Sequence, residues 1–186
     1  QIVTAVLEEG SPLGSTLDFV VDANAPRGGM KHTFFTPDRK YAVQFFNDPR
    51  DGHNPNIQDR IRTIVSIYNP TLSEQAGGAL GNTEKTAEYF RSRFCWPVAI
   101  VSQPEFGIVC PTYPQKFFFG GNASTNGLNL KGKDKKSNWF TGRLRKYIAP
   151  EEKGDFRTML GAAICLSRSI RRTVSYTHLR AHETAA

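Results

Sequence analysis

Between Thr16 and Phe46 three β-rich runs follow one another with only short turns between them. Thr16–Val21 (T-L-D-F-V-V) leads into the glycine turn Ala25-Pro26-Arg27-Gly28-Gly29. Lys31–Thr36 (K-H-T-F-F-T) is the second run. Pro37-Asp38-Arg39-Lys40 then turns the chain, with proline where it pre-sets φ. Tyr41–Phe46 (Y-A-V-Q-F-F) is the third. Three consecutive strands on short turns predict an antiparallel meander.

The signal changes period after residue 56. Ile57, Ile61, Ile64, Val65 and Tyr68 fall on one face of a helix that Asn69-Pro70 ends. A glycine-rich loop, Gly77–Asn82, separates it from a second helix over Thr83–Phe94, with Asn82 or Thr83 as N-cap and Glu84 in its first turn. Trp96–Ser102 and Gly107–Tyr113 read as two more strands, with Gln103–Phe106 as their turn. The chain thus predicts five strands with helical material between the third and fourth. Gly120–Asn138 reads as a mobile loop. Pro150–Arg172 is the strongest helical pattern: Pro150, Glu151 and Glu152 suit its start and Arg168, Arg171 and Arg172 its end. Phe156, Met159, Leu160, Ala163, Ile164 and Ile170 mark its apolar stripe.

The 186 residues are 39% hydrophobic and 22% charged, enough for one globular domain, and no apolar run reaches the length of a membrane helix. The chain begins at Gln1 without Met, which predicts a fragment or a processed form. Cys95, Cys110 and Cys165 are odd in number and far apart, the pattern of reduced thiols in a cytoplasmic protein. Between Lys131 and Lys146 seven basic residues face Asp134 alone, an excess of six out of the net +7. Such a block reads as a solvated loop, or as a nucleic-acid contact with Trp139 and Phe140 nearby. The segment from Val174 to Thr184 resembles a translated sequencing adapter. Its His178 and His182 stand four apart, a metal-ligand spacing that lacks a third ligand.

The residues that bear on chemistry lie in the meander. Gly28-Gly29-Met30-Lys31 looks like a phosphate-binding loop with a lysine in a glycine's place. In Y-A-V-Q-F-F, Gln44 occupies the position of the phosphate-binding lysine in the kinase pattern V-A-I-K. A glutamine amide donates hydrogen bonds but carries no charge, so a nucleotide site here needs another cation. Lys31 is the candidate, in the manner of the with-no-lysine kinases; the bland reading makes it a surface strand residue. Lys40 is a weaker substitute. The acidic partner is Glu88 or Glu84 of the second helix, and a solvated helix face is the bland alternative for Glu88.

The runs R-G-G-M-K-H-T-F-F-T-P-D (Arg27–Asp38), Y-A-V-Q-F-F-N-D-P (Tyr41–Pro49), F-C-W-P-V-A-I-V (Phe94–Val101), G-I-V-C-P-T-Y-P (Gly107–Pro114) and M-L-G-A-A-I-C-L-S-R-S-I-R-R (Met159–Arg172) resemble a bacterial eukaryotic-like Ser/Thr kinase-like family. That family is linked to tellurium-resistance-type clusters and travels with a von Willebrand A-type protein and a PPM-type phosphatase, which become the implied partners. The resemblance implies an α+β fold: a five-stranded antiparallel kinase N-lobe with helices over residues 16–119, a hinge near 110–114, a basic insertion over 120–149 and the first C-lobe helix over 150–172. Residues 1–15 become a flank and 173–186 a foreign tail. It implies ATP and Mg²⁺ in the longer protein, with a nucleotide site drawn from Gly28, Gly29, Lys31, Ala42, Gln44, Glu88, Val109, Cys110 and Thr112. The adenine would be read around Val109–Thr112, where Pro111 offers no N–H. No H-R-D or D-F-G run is present, so the fragment itself is expected to be catalytically incompetent. A pseudokinase that serves as an interaction module is the alternative. The stripe over Phe156–Ile170 would then lack its partners, which predicts poor solubility.

Overall fold

The computed structural model describes residues 1–121 and 128–183, with side-chain surroundings given up to residue 171. The chain divides into two units, Gln1–Thr112 and Tyr113–Ala186.

The first unit is a closed antiparallel barrel of six strands. These are β1 (Ile2–Leu7), β2 (Thr16–Val20), β3 (Lys31–Phe35), β4 (Tyr41–Phe46), β5 (Ala99–Gln103) and β6 (Gly107–Pro111), in the spatial order β1-β2-β3-β4-β6-β5. This corrects the expected kinase N-lobe with its open five-stranded sheet. All five expected strands form, but the stretch read as an N-terminal flank supplies a sixth. β1 pairs with β2 over Ile2↔Val20 to Val6↔Thr16 and with β5 at Val6↔Gln103 and Leu7↔Val101. Both edges of the sheet are thereby satisfied, and the open-sheet class is excluded. Alternation in β1 makes this possible: Ala5 and Leu7 are buried while Ile2 and Val6 face outward.

A six-stranded barrel is too narrow to hold anything but its own side chains. Ala5, Leu7, Phe19, Val43, Phe45, Ala99, Val101 and Val109 fill it, with Phe34 and Tyr41 packed against them. Phe19 lies 5.6 Å from both Phe34 and Phe45, centroid to centroid. β4 is the central strand, and its outer face is partly covered as well, since Ala42 and Phe46 are buried. At Gly107 the β4 backbone comes so close that a Cβ would sit 2.6 Å from the Gln44 carbonyl oxygen. Glycine is required there by close approach.

Between β4 and β5 the chain is helical. α1 (Pro49–His53) is capped by Asp48 and α2 (Pro55–Val65) by Asn54, each with proline in the first turn. α3 (Glu84–Arg91) is capped by Thr83, whose hydroxyl accepts from the Thr86 N–H. The loop between α2 and α3 is tied by buried amides. Asn69 accepts from the Thr71 N–H and donates to Val65 O, and Asn82 donates to Pro70 O at 3.0 Å.

The second unit has its own small core of Phe119, Leu130 and Ile148, with Trp139 and Phe140 against it. Two of these side chains, Leu130 and Ile148, come from the stretch assigned to a basic insertion, which also forms α4 (Ser137–Phe140) and a 3-10 segment, Gly142–Tyr147. The continuous helix expected over 150–172 is broken. α5 (Pro150–Lys153) stops at Gly154, whose φ is +60°, and α6 runs over Phe156–Glu183, past the expected end at Arg172. Asp155 starts α6 by accepting from the Thr158 N–H at 2.7 Å. The apolar stripe of α6 is open: Phe156 is 81% and Ile170 51% exposed. The side chains of His178 and His182 lie outside the described residues. Among the described residues no helix is long and apolar enough to cross a membrane.

Barrel closure sets a stability test. Leu7→Ala removes a fully packed side chain and is expected to cost about 2–5 kcal/mol, whereas Val6→Ala on the outer face of the same strand costs under about 1. Urea unfolding of the two variants measures the difference; equal losses would mean that β1 does not close the barrel.

Candidate phosphate-binding face

The loop before β3 is a hairpin tip. The Thr33 N–H donates to Pro26 O at 2.9 Å, Arg27 bridges His32, and the Gly28 N–H donates to Lys31 O at 2.8 Å. Asn47, just beyond β4, holds this turn. Its side chain donates to Gly28 O at 2.8 Å and its N–H to Met30 O at 2.9 Å, while Arg27 donates to its Oδ1. The carbonyls of Pro26, Gly28, Met30 and Lys31 are thus occupied. The N–H groups of Gly29 and Met30 donate to no backbone carbonyl, and both residues are exposed. Asn47 was missed in the sequence because nothing marks a lone Asn after a strand as a clasp for a turn 17 residues away.

Strand register then gathers several of the expected residues on one outer face. Lys31 pairs with Phe46, Thr33 with Gln44 and Phe35 with Ala42; across β4, Ala42 pairs with Cys110 and Gln44 with Ile108. Lys31 lays its ammonium over the Phe46 ring, 4.9 Å from the centroid. The Gln44 amide donates to Thr33 Oγ1 at 3.4 Å, a long bond. Burial lowers the pKa of Lys31, and nearby Cys110 opposes that shift. Among the described residues no carboxylate pairs with Lys31. Lys40, by contrast, reaches Asp38 at 3.4 Å at an exposed position.

Other expected site residues go elsewhere. Val109 is fully buried in the barrel core, on the opposite face of β6, and its carbonyl receives the Val98 N–H. The Thr112 N–H donates to Lys40 O at 3.0 Å and its hydroxyl to Arg39 O, so neither is free to read an adenine edge. Glu88 is exposed on α3 and forms no ion pair with Lys31. Glu84 instead pairs with Arg91. Mg²⁺ finds no group of three His, Cys, Asp or Glu side chains among the described residues. Gly28, Gly29, Lys31, Ala42, Gln44 and Cys110 thus lie on or beside one outer face, whereas Glu88, Val109 and Thr112 are placed elsewhere.

Comparison with protein-family models, with curated proteins and with solved structures finds no match to this chain.

Burial pushes the Cys110 thiol up to about 11, against the pull of the Lys31 ammonium and with Cys95 nearby adding to the rise. At pH 8 its alkylation by iodoacetamide is therefore expected to be roughly 100-fold slower than that of a free cysteine. Lys31→Met removes the cation that favours the thiolate, raises the pKa further and slows labelling again. Site-resolved mass spectrometry reads both rates; labelling of Cys110 as fast as free cysteine would refute the buried placement.

Proposed function

We propose that this chain binds the phosphate groups of a nucleotide through Lys31 and the Gly28–Met30 turn, as the non-catalytic part of an ATP- and Mg²⁺-dependent Ser/Thr phosphotransferase. One observation carries the reading: Lys31 is a partly buried cation with no carboxylate beside it among the described residues. Withdrawing an ammonium from water costs free energy unless an anion compensates it. An ammonium kept at that cost, next to a turn with unspent N–H groups, suits an anionic ligand that arrives from outside. Gln44 beside it brings no charge of its own.

The phosphotransferase assignment rests on the resemblance of the runs Arg27–Asp38 and Tyr41–Pro49, whereas the phosphate reading rests on the site and not on a likeness of fold. It concerns the phosphates alone, because the adenine-reading positions are committed to the chain's own hydrogen bonds. Transfer chemistry would need a base and metal ligands beyond those the described residues bring together.

The test separates a ligand-directed lysine from a structural one. Titration with a fluorescent ATP analogue is expected to show that Lys31→Met weakens binding at least about tenfold. The same change should raise the melting temperature by about 2 °C, since an uncompensated charge is removed. Lys40→Met should leave binding unchanged. A Lys31→Met protein that binds the nucleotide as well as the original sinks the reading.

A further inference from the structure

A second concave site lies on the barrel unit, away from Lys31. The end of β1, helices α1 and α2, and the β5–β6 turn enclose a cavity of about 240 Å³. Its chemistry follows from which polar groups are spent and which are open.

Each donor-bearing side chain that lines it makes at least one hydrogen bond within the chain. Arg62 gives Nε and Nη2 to the Glu8 carboxylate at 2.8–3.1 Å and Nη1 to Asp59. Gln58 donates to Gly52 O at 2.7 Å and accepts from Arg62, which fixes the orientation of its amide. The Ser102 hydroxyl donates to Val6 O. His53 Nδ1 lies 2.6 Å from Pro49 O. A carbonyl can only accept, so Nδ1 carries the hydrogen.

Two side-chain groups of the lining are without partners among the described residues. Glu105 makes no hydrogen bond or ion pair among the described residues, and Nε2 of His53 has no partner. Two carboxylates, Glu8 and Glu105, face one guanidinium, which is already shared. The Phe106 ring, with Arg62 5.5 Å from its centroid, forms an aromatic wall.

We infer that this cavity binds a cationic N–H donor, an ammonium or guanidinium group, borne either by a basic peptide side chain or by a small polyamine. A site lined by two carboxylates and one guanidinium, with Glu105 unpaired, favours a ligand that brings positive charge and N–H groups. The aromatic wall adds cation–π attraction. The volume lies below the range typical of drug-sized ligands, which suits the end of one side chain or a short amine. The inference does not depend on the phosphate reading.

The experiment is a ¹H–¹⁵N NMR titration of the full chain with three probes: agmatine, a doubly blocked arginine amide and the same amide of citrulline. Citrulline keeps the shape of arginine and lacks its charge. Saturable shifts at His53, Glu105 and Phe106 are expected with a cationic probe and not with citrulline. Glu105→Gln, a change at an exposed position, should weaken binding about fivefold. Lys31→Met should leave it unchanged, so failure here and failure of the phosphate reading are told apart. Binding of agmatine alone assigns the site to free amines, and binding of the blocked arginine assigns it to peptides. Shifts that stay linear to about 10 mM, or that citrulline reproduces, or that Glu105→Gln leaves unchanged, overturn the inference.

Discussion

The pairing of β1 with both β2 and β5 is the constraint on which the barrel unit depends. Without it the sheet would end in two edges whose backbone groups need other partners. With it, all inward side chains converge on one dry core and no edge is left to template another chain. Closure also divides the outer surface. α1 packs against β4 over Phe46, where a Cβ on Gly52 would lie 3.7 Å from the ring. The face that carries Lys31, Thr33 and Gln44 remains partly exposed.

Charge is divided unequally between the two units. Up to Thr112 there are ten basic and twelve acidic residues; beyond it there are fourteen and five. The basic block of the second unit is partly used in its own packing. Lys135 reaches Glu152 at 2.6 Å, and Arg145 donates to the carbonyls of Lys153 and Gly154. Those contacts join α5 to the Phe119 core and weaken the case for a free nucleic-acid patch. Lys31 contrasts with two arginines of the barrel unit. Arg62 and Arg91 are held by Glu8 and Glu84, and their cost of ordering is offset locally.

Local chemistry made much of the secondary structure legible. The turn at Pro37–Lys40 and the β-rich run Tyr41–Phe46 specify β4. The cap Thr83, with Glu84 after it, specifies where α3 begins, whereas the start of α2 at Asn54-Pro55 lies ahead of the apolar face read from Ile57. Gly28 and Lys31 stand together because they belong to one hairpin, and so that much of the site could be read in advance. Asn47 could not, since its hold on the Gly28 and Met30 carbonyls is made by the chain's return. Glu88 was misjudged by helix phase: Ala87 and Phe90 take the buried face and turn it outward.

What the sequence alone determined is the set of five strands, the cap at Thr83 and the nearness of Gly28 to Lys31, because each is written in neighbouring residues. Only the tertiary structure decided that Ile2–Leu7 would be a barrel strand and not a flank. Its run is too short to distinguish an edge from a closing strand, and its partners lie up to about a hundred residues away at Val101 and Gln103. Only the fold, too, buried Val109 and committed the N–H of Thr112, because strand register assigns each side chain to a face and each amide to a partner.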